Sequence, residues 1–235
     1  MVVCIVLLVL GAISLSLFLI DKVRKYSIRE TIIKGITSAL FIALAVVSNI
    51  HNGFEDFGIF AIIGLSFGLV GDILLDLKYV DLKHTRFHTF AGFIAFAIGH
   101  ICYISGIVLT LPYPNVWQSY LLPFAFGVLC GALVLILEKP LGYKYGEYKI
   151  ISFIYAIFLF TTVGTTFYLT LVHQFAQTTY NMLFIAAVLF AISDLILCGT
   201  YFGEGKERPV DIVSNGITYY AAQYLIAFSL FFLVI

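Results

Sequence analysis

GLSFGLVGDILLDL, residues 64–77, decides how this chain is read: an apolar run that carries two carboxylates, Asp72 and Asp76. Long apolar segments exclude ionisable groups unless a protein interior compensates them, so an acid in such a run marks a functional site. A third acid, Asp194, stands in a similar run, AISDLILCG, 122 positions after Asp72. The expectation is that these helices build one polar pocket inside a membrane-embedded helical bundle.

Composition places the chain firmly. Hydrophobic residues make up 62% and charged residues 11%, with a mean hydropathy of +1.06, whereas soluble domains carry about 25% charged residues. The reading is an all-α polytopic membrane protein. Cys4, Cys102, Cys130 and Cys198 lie in apolar runs without ligand spacing, so they read as packing residues, and neither a disulfide framework nor a zinc site is expected. Net charge is zero and no basic tract occurs, which removes nucleic acid as a partner. The first run, Met1 to Ile20, lacks a charged leader region and a small-residue cleavage pattern, and is expected to stay in the mature protein as a span.

Apolar runs fall at 1–20, 31–50, 57–77, 88–111, 118–137, 149–172, 180–201 and 213–235, each long enough to cross a bilayer as a helix. That gives eight spans. The connections are too short for a soluble domain, so residues 1–235 form a single bundle. Lys22, Arg24, Lys25, Arg29 and Lys34 cluster at the first connection; Lys78, Lys83 and Arg86 at the third; Lys139, Lys144 and Lys149 at the fifth; Lys206 and Arg208 at the seventh. All 13 basic residues therefore flank odd-numbered connections, which the positive-inside rule makes cytoplasmic, with both termini outside. The expected location is the plasma (inner) membrane of a bacterium. Tyr26, Tyr79, Tyr143, Tyr145 and Tyr148 mark the cytoplasmic ends as an aromatic belt would, and Pro112, Tyr113, Pro114 and Trp117 mark an outer connection. Gly64/Gly68 and Gly127/Gly131 are small residues spaced for close helix packing. GDILL in the third span echoes SDLIL in the seventh, and Gly92 with Phe96 echoes Gly216 with Tyr220, as two parallel four-helix halves would produce.

Counting at 1.5 Å per residue places Asp72 about 8 Å and Asp194 about 10 Å below the cytoplasmic surface, and His100 about 18 Å deep. On the same count Asn215, Tyr220 and Gln223 occupy depths of about 3 to 15 Å; Tyr103 lies beyond His100, and Asp76 and Lys34 lie near the interface. Five helices thus send polar groups into the inner half, while the outer half holds no buried acid or base. Each group has a plainer reading: Asp76 and Lys34 as snorkelling side chains, His100 and Gln223 as interhelical hydrogen bonds, Tyr103 and Tyr220 as packing. A carboxylate at the depth of Asp72 or Asp194 is harder to explain without a cavity.

At these residues the sequence resembles the lysoplasmalogenase family of integral membrane proteins, also called YhhN-like. The likeness runs from Lys34 to the C-terminus, through GDILL at 71–75, Phe90, Gly92, Phe96, His100 and Tyr103 in the fourth span, Ser193-Asp194, and Asn215 followed by YYAAQYLI. Family members often carry Pro after the second-span lysine, where this chain has Gly35. The resemblance implies hydrolysis of the vinyl ether bond of lysoplasmalogens to a fatty aldehyde and glycerophosphoethanolamine or glycerophosphocholine, without a required metal or other cofactor. A lysophospholipid and the bilayer are then the partners; the sequence leaves the oligomeric state open.

Enol ether hydrolysis needs a proton on the outer alkene carbon and water to capture the oxocarbenium ion, work for which two carboxylates are suited. In that scheme one of Asp72 and Asp194 is the acid and the other stabilises the cation, which of the two being undetermined by sequence. His100 relays protons or orients water. Lys34 holds the phosphate, while Asp76, Tyr103, Asn215, Tyr220 and Gln223 position the head group. A proton-coupled transporter of a small solute or lipid is the rival, since membrane acids and a histidine also make proton relays. No run is visibly broken by proline, and the outer half lacks polar groups for an exit path, both of which count against it.

Overall fold

The computed structural model describes residues 1–24, 28–204 and 208–233 and contains eight long helices. They are α1 (Val2–Arg24), α2 (Ile28–His51), α3 (Asp56–Val80), α4 (Thr85–Thr110), α5 (Trp117–Ile136), α6 (Lys149–Val172), α7 (Thr178–Phe202) and α8 (Pro209–Ser229). Lys25, Tyr26 and Lys206, and the side chain of Arg24, lie outside the described residues. Seven helices, α1 to α7, are long and apolar enough to span a membrane, and helices satisfy their own backbone groups where no water can. Helix α8 falls short of that hydropathy because Asn215, Thr218, Tyr219, Tyr220 and Gln223 interrupt it, and three of these, Tyr219, Tyr220 and Gln223, are buried. It begins four residues before the expected span, with Pro209 in its first turn and Arg208 paired to Asp211. Helix α5 continues through Pro123.

Helices α2, α3, α4, α6, α7 and α8 pack in that order into a closed ring, with α3 also touching α8 across it. Helix α1 lies outside on α2 and α8, and α5 outside on α6. Their outer faces, such as Leu10 on α1 and Leu129 and Ile136 on α5, stay exposed. Described residues at the third, fifth and seventh connections meet at one end of the bundle: Arg86 pairs with Glu147, Lys144 with Glu204, and Tyr143 bridges to Gly203. Asp81, between α3 and α4, accepts hydrogen bonds from His88 and His84, which hold its carboxyl below the usual range. At the other end His173 bonds the Pro112 carbonyl and Asn52 bonds the Leu230 carbonyl. Tyr145 departs from the expected interfacial belt, being buried against Phe202 with its hydroxyl on Cys198.

Glycines set the close approaches. A Cβ at Gly127 of α5 would lie 2.6 Å from the backbone carbonyl of Ile157 in α6 and against the Thr161 hydroxyl, neither of which can retreat easily. Gly35 faces open space instead. Replacing Gly127 by Ala should therefore destabilise the detergent-solubilised protein by about 1–3 kcal/mol, whereas Gly35→Ala should leave stability unchanged or raise it by up to about 1 kcal/mol. Thermal unfolding monitored by size-exclusion chromatography distinguishes them, and equal midpoints for the two variants would refute the assigned α5–α6 contact.

Candidate functional site

A cavity of about 710 Å³, counting the space at its open mouth, lies among α1, α2, α3, α7 and α8 toward the end that carries the basic connections. Its lining includes Lys22, Lys34, Asp72, Asp76, Asp194, Asn215 and Tyr220, so charged residues from four helices share one hollow. Asp72, Asp76 and Lys34 are 2%, 3% and 8% exposed, a depth at which each ion depends on its partners. The Lys34 ammonium lies 3.3 Å from Asp72 Oδ1 and 3.0 Å from Asp76 Oδ1, and also bonds the Asp72 carbonyl. Lys22, from α1, pairs with Asp76 at 3.3 Å and with Glu30 at 3.2 Å. Both lysines are thus held by carboxylates. Among the described residues Asp76 Oδ2 is buried without a hydrogen-bond partner.

The two deeper acids are held differently. Asp72 Oδ2 accepts from Ser38 at 2.7 Å and from Tyr219 at 2.8 Å, in addition to its lysine. Asp194, half-buried, accepts a short hydrogen bond from Tyr155 of α6 and has no ion pair among the described residues. Behind each acid a chain of polar groups runs inward. Gln223 donates to the Tyr219 hydroxyl at 2.9 Å and accepts from Tyr103 at 3.4 Å. On the other side the Tyr155 hydroxyl lies 3.4 Å from His100 Nε2, whose Nδ1 meets Thr162.

His100, Tyr103 and Gln223 are therefore buried behind the cavity rather than in its wall. His100 and Tyr103 line a smaller space of about 330 Å³ with Thr162 and Thr166. Tyr220 is in the wall, sharing a hydrogen bond with Ser38, and Asn215 ties α8 to the backbone and hydroxyl of Ser193, beside Asp194. The half of the bundle away from the basic connections is more polar than expected, with Asn49 and a row of α6 threonines buried there. Thr162 and Thr166, however, bond to carbonyls of their own helix.

Tyr155, Tyr219 and Ser38 were not among the residues singled out in the sequence. The i,i+4 spacing of Tyr219 and Gln223 on α8 is a signal for the first, since it puts both on one face. Helix α6 has no ionisable residue apart from Lys149 and tyrosines, so nothing marked Tyr155. Glycines on α3 admit these groups: a Cβ at Gly68 would lie 2.7 Å from Gln223 Nε2, and one at Gly64 would overlap the Tyr103 ring. Among the described residues no three His, Cys, Asp or Glu side chains are grouped to hold a metal ion.

Removing Lys34 leaves Asp72 and Asp76 buried without their shared cation. Lys34→Met should therefore destabilise the protein by about 3–5 kcal/mol, and adding Asp76→Asn should restore part of that loss. Thermal unfolding of the single and double variants is the measurement, and a fully stable Lys34→Met protein would contradict the pairing.

Neither a curated protein nor a solved structure matches this chain. The sequence profile of the YhhN family matches residues 30–230, which takes in α2 to α8 and every acid described above. With helices suited to span a bilayer and that match over most of its length, this integral membrane protein belongs to the YhhN family, the lysoplasmalogenase-type family.

Proposed function

We propose that the protein hydrolyses the vinyl ether bond of lysoplasmalogens, with Asp194 as general acid and Asp72 as its charged counterpart. The observation that carries the reading is the unequal setting of two carboxylates lining one cavity: Asp72 beside Lys34 and two hydroxyl donors, Asp194 with one tyrosine and, among the described residues, no cation. Environments that differ in this way separate acid from base.

In the proposed reaction Asp194 gives its proton to the outer alkene carbon, leaving an oxocarbenium ion at the carbon bonded to oxygen. Asp72 stabilises that cation and takes a proton from the water that adds to it. The resulting hemiacetal returns its hydroxyl proton to Asp194 as the carbonyl forms. Asp72 passes its proton to the departing glycerol oxygen, which gives aldehyde and alcohol and restores both acids. Tyr155 orients Asp194, with His100 behind it, and Tyr219 orients Asp72, with Gln223 and Tyr103 behind it. Lys34 keeps Asp72 and Asp76 charged rather than acting alone on the phosphate. Asp76, Tyr220 and Asn215 line the path of the head group.

The basic end of the bundle faces the cytoplasm in this reading, with both termini outside, and the cavity is entered from the inner leaflet. The matching order of helix neighbours in the two halves favours a four-plus-four duplication: α1 on α2, α2 on α3, α3 on α4 and α8 on α2 correspond to α5 on α6, α6 on α7, α7 on α8 and α4 on α6. Single cysteines replacing Asn115 and Lys139, in a background without native cysteines, should label from outside and only after permeabilisation, respectively; the reverse pattern would invert the topology.

Asp194→Asn and Asp72→Asn should each lower aldehyde release from an alkenyl lysolipid by at least about 100-fold in folded protein. Tyr155→Phe should lower it by about tenfold, the loss of one hydrogen bond to the carboxylate that develops as Asp194 gives up its proton. The saturated ether analogue should not be cleaved. Undiminished release by the Asp194 variant would remove it from the role of acid.

A further inference from the structure

A second cavity adjoins the charged one and has the opposite chemistry. It lies among α4, α5, α6 and α7, takes in about 650 Å³ counting the space at its open mouth, and is lined by Phe93, Val134, Leu159, Phe160 and Phe202. Leu75, Phe96, Asp194, Leu197 and Tyr201 belong to the walls of both cavities. Asp194 thus stands where a hollow carrying Lys22, Lys34, Asp72 and Asp76 meets one built almost wholly of hydrocarbon.

The internal echo of the sequence explains the contrast. A shift of 122 positions sets GDILLDLKYV of α3 on SDLILCGTYF of α7, and matches Asp72 with Asp194, Leu75 with Leu197 and Tyr79 with Tyr201. The same shift replaces Asp76 by Cys198 and Lys34 by Ala156. Cys198 and Ala156 both line the apolar cavity, as Asp76 and Lys34 line the charged one. The two hollows lie at matched positions of this echo, and the second carries Cys198 and Ala156 where the first carries Asp76 and Lys34.

We infer that this apolar cavity holds the single hydrocarbon chain of a lysolipid, which enters from the bilayer between α5 and α7. The inference rests on the lysolipid reading above. Leu195 of α7 is 49% exposed on the outside of the bundle and also lines the cavity, so the wall there is continuous with the lipid-facing surface. Helix α5 packs closely on α6 and makes no comparable contact with α7, which leaves that flank unsealed. An amphiphile with one chain fits this pair of hollows end to end, since its polar head needs the ionic cavity and its chain gains free energy by leaving water for an apolar wall. The bond joining head to chain then falls beside Asp194, at their junction.

The test uses the full-length protein in nanodiscs and a saturated 1-O-alkyl lysophosphocholine carrying a diazirine near the end of its chain, a probe that has no alkene to cleave. After irradiation, adducts mapped by mass spectrometry should fall on the lining of the apolar cavity, at residues such as Leu159 and Phe160. Unlabelled lysolipid should compete them away by about tenfold, the mark of a defined site. Val134→Trp, on the peripheral helix, should reduce those adducts several-fold while the protein remains folded. Adducts confined to α1 and α2 or to the lipid-facing surface, indifferent to competitor, would overturn the inference in the wild-type protein alone. Because the probe is not a substrate, cavity adducts from a protein that releases no aldehyde would uphold the chain site and reject only the cleavage chemistry.

Discussion

One buried ion cluster governs this structure: the Lys34 ammonium held between the carboxylates of Asp72 and Asp76, with Lys22 and Glu30 at its edge. Each ion removed from water costs several kcal/mol, and mutual attraction offsets this only with close geometry and satisfied hydrogen bonds. Ser38 and Tyr219 supply further donors to Asp72, which obliges α2, α3 and α8 to meet at one level. The ring of helices follows from that demand as much as from apolar packing, which in lipid offers little driving force between helices.

Much of the architecture was legible in the sequence. Runs of about 20 apolar residues found all eight helices, and basic residues at every second connection anticipated that those connections gather at one end. Asp72, Asp76 and Asp194 declared themselves by their cost. The supporting groups did not. Tyr155 and Tyr219 stand among 15 tyrosines and 23 phenylalanines, and an aromatic residue in a membrane helix looks the same whether it packs or donates a hydrogen bond. Only the three-dimensional meeting of α6 with α7 separates Tyr155 from the rest, while the meeting of α8 with α3 gives the i,i+4 spacing of Tyr219 and Gln223 its meaning. Lys34 shows the other limit of sequence: spacing placed it at the site, but its two carboxylate partners make it a counter-ion before it is anything else.

The paired relays behind the acids share a design. His100 through Tyr155, and Tyr103 with Gln223 through Tyr219, each set a phenol between a buried polar group and a carboxylate. A phenol both accepts and donates, so it fixes the orientation of an acid without adding a charge. The glycines of α3 are part of the same device, since Gly64 and Gly68 leave the room that Tyr103 and Gln223 fill. A stripe of small residues that reads as helix packing also admits the polar network here.

The order of the helices along the chain bears on how the protein is made. Lys22, Glu30, Lys34, Asp72 and Asp76 all lie within α1 to α3, so their charges can neutralise one another while the later spans are still being synthesised. Asp194 and the tyrosines of α8 arrive afterwards, when an ionic scaffold already stands to receive them. Biogenesis would thereby spare the translocation machinery from releasing an isolated lysine or aspartate into lipid, and the charged hollow would be completed only with the last helix.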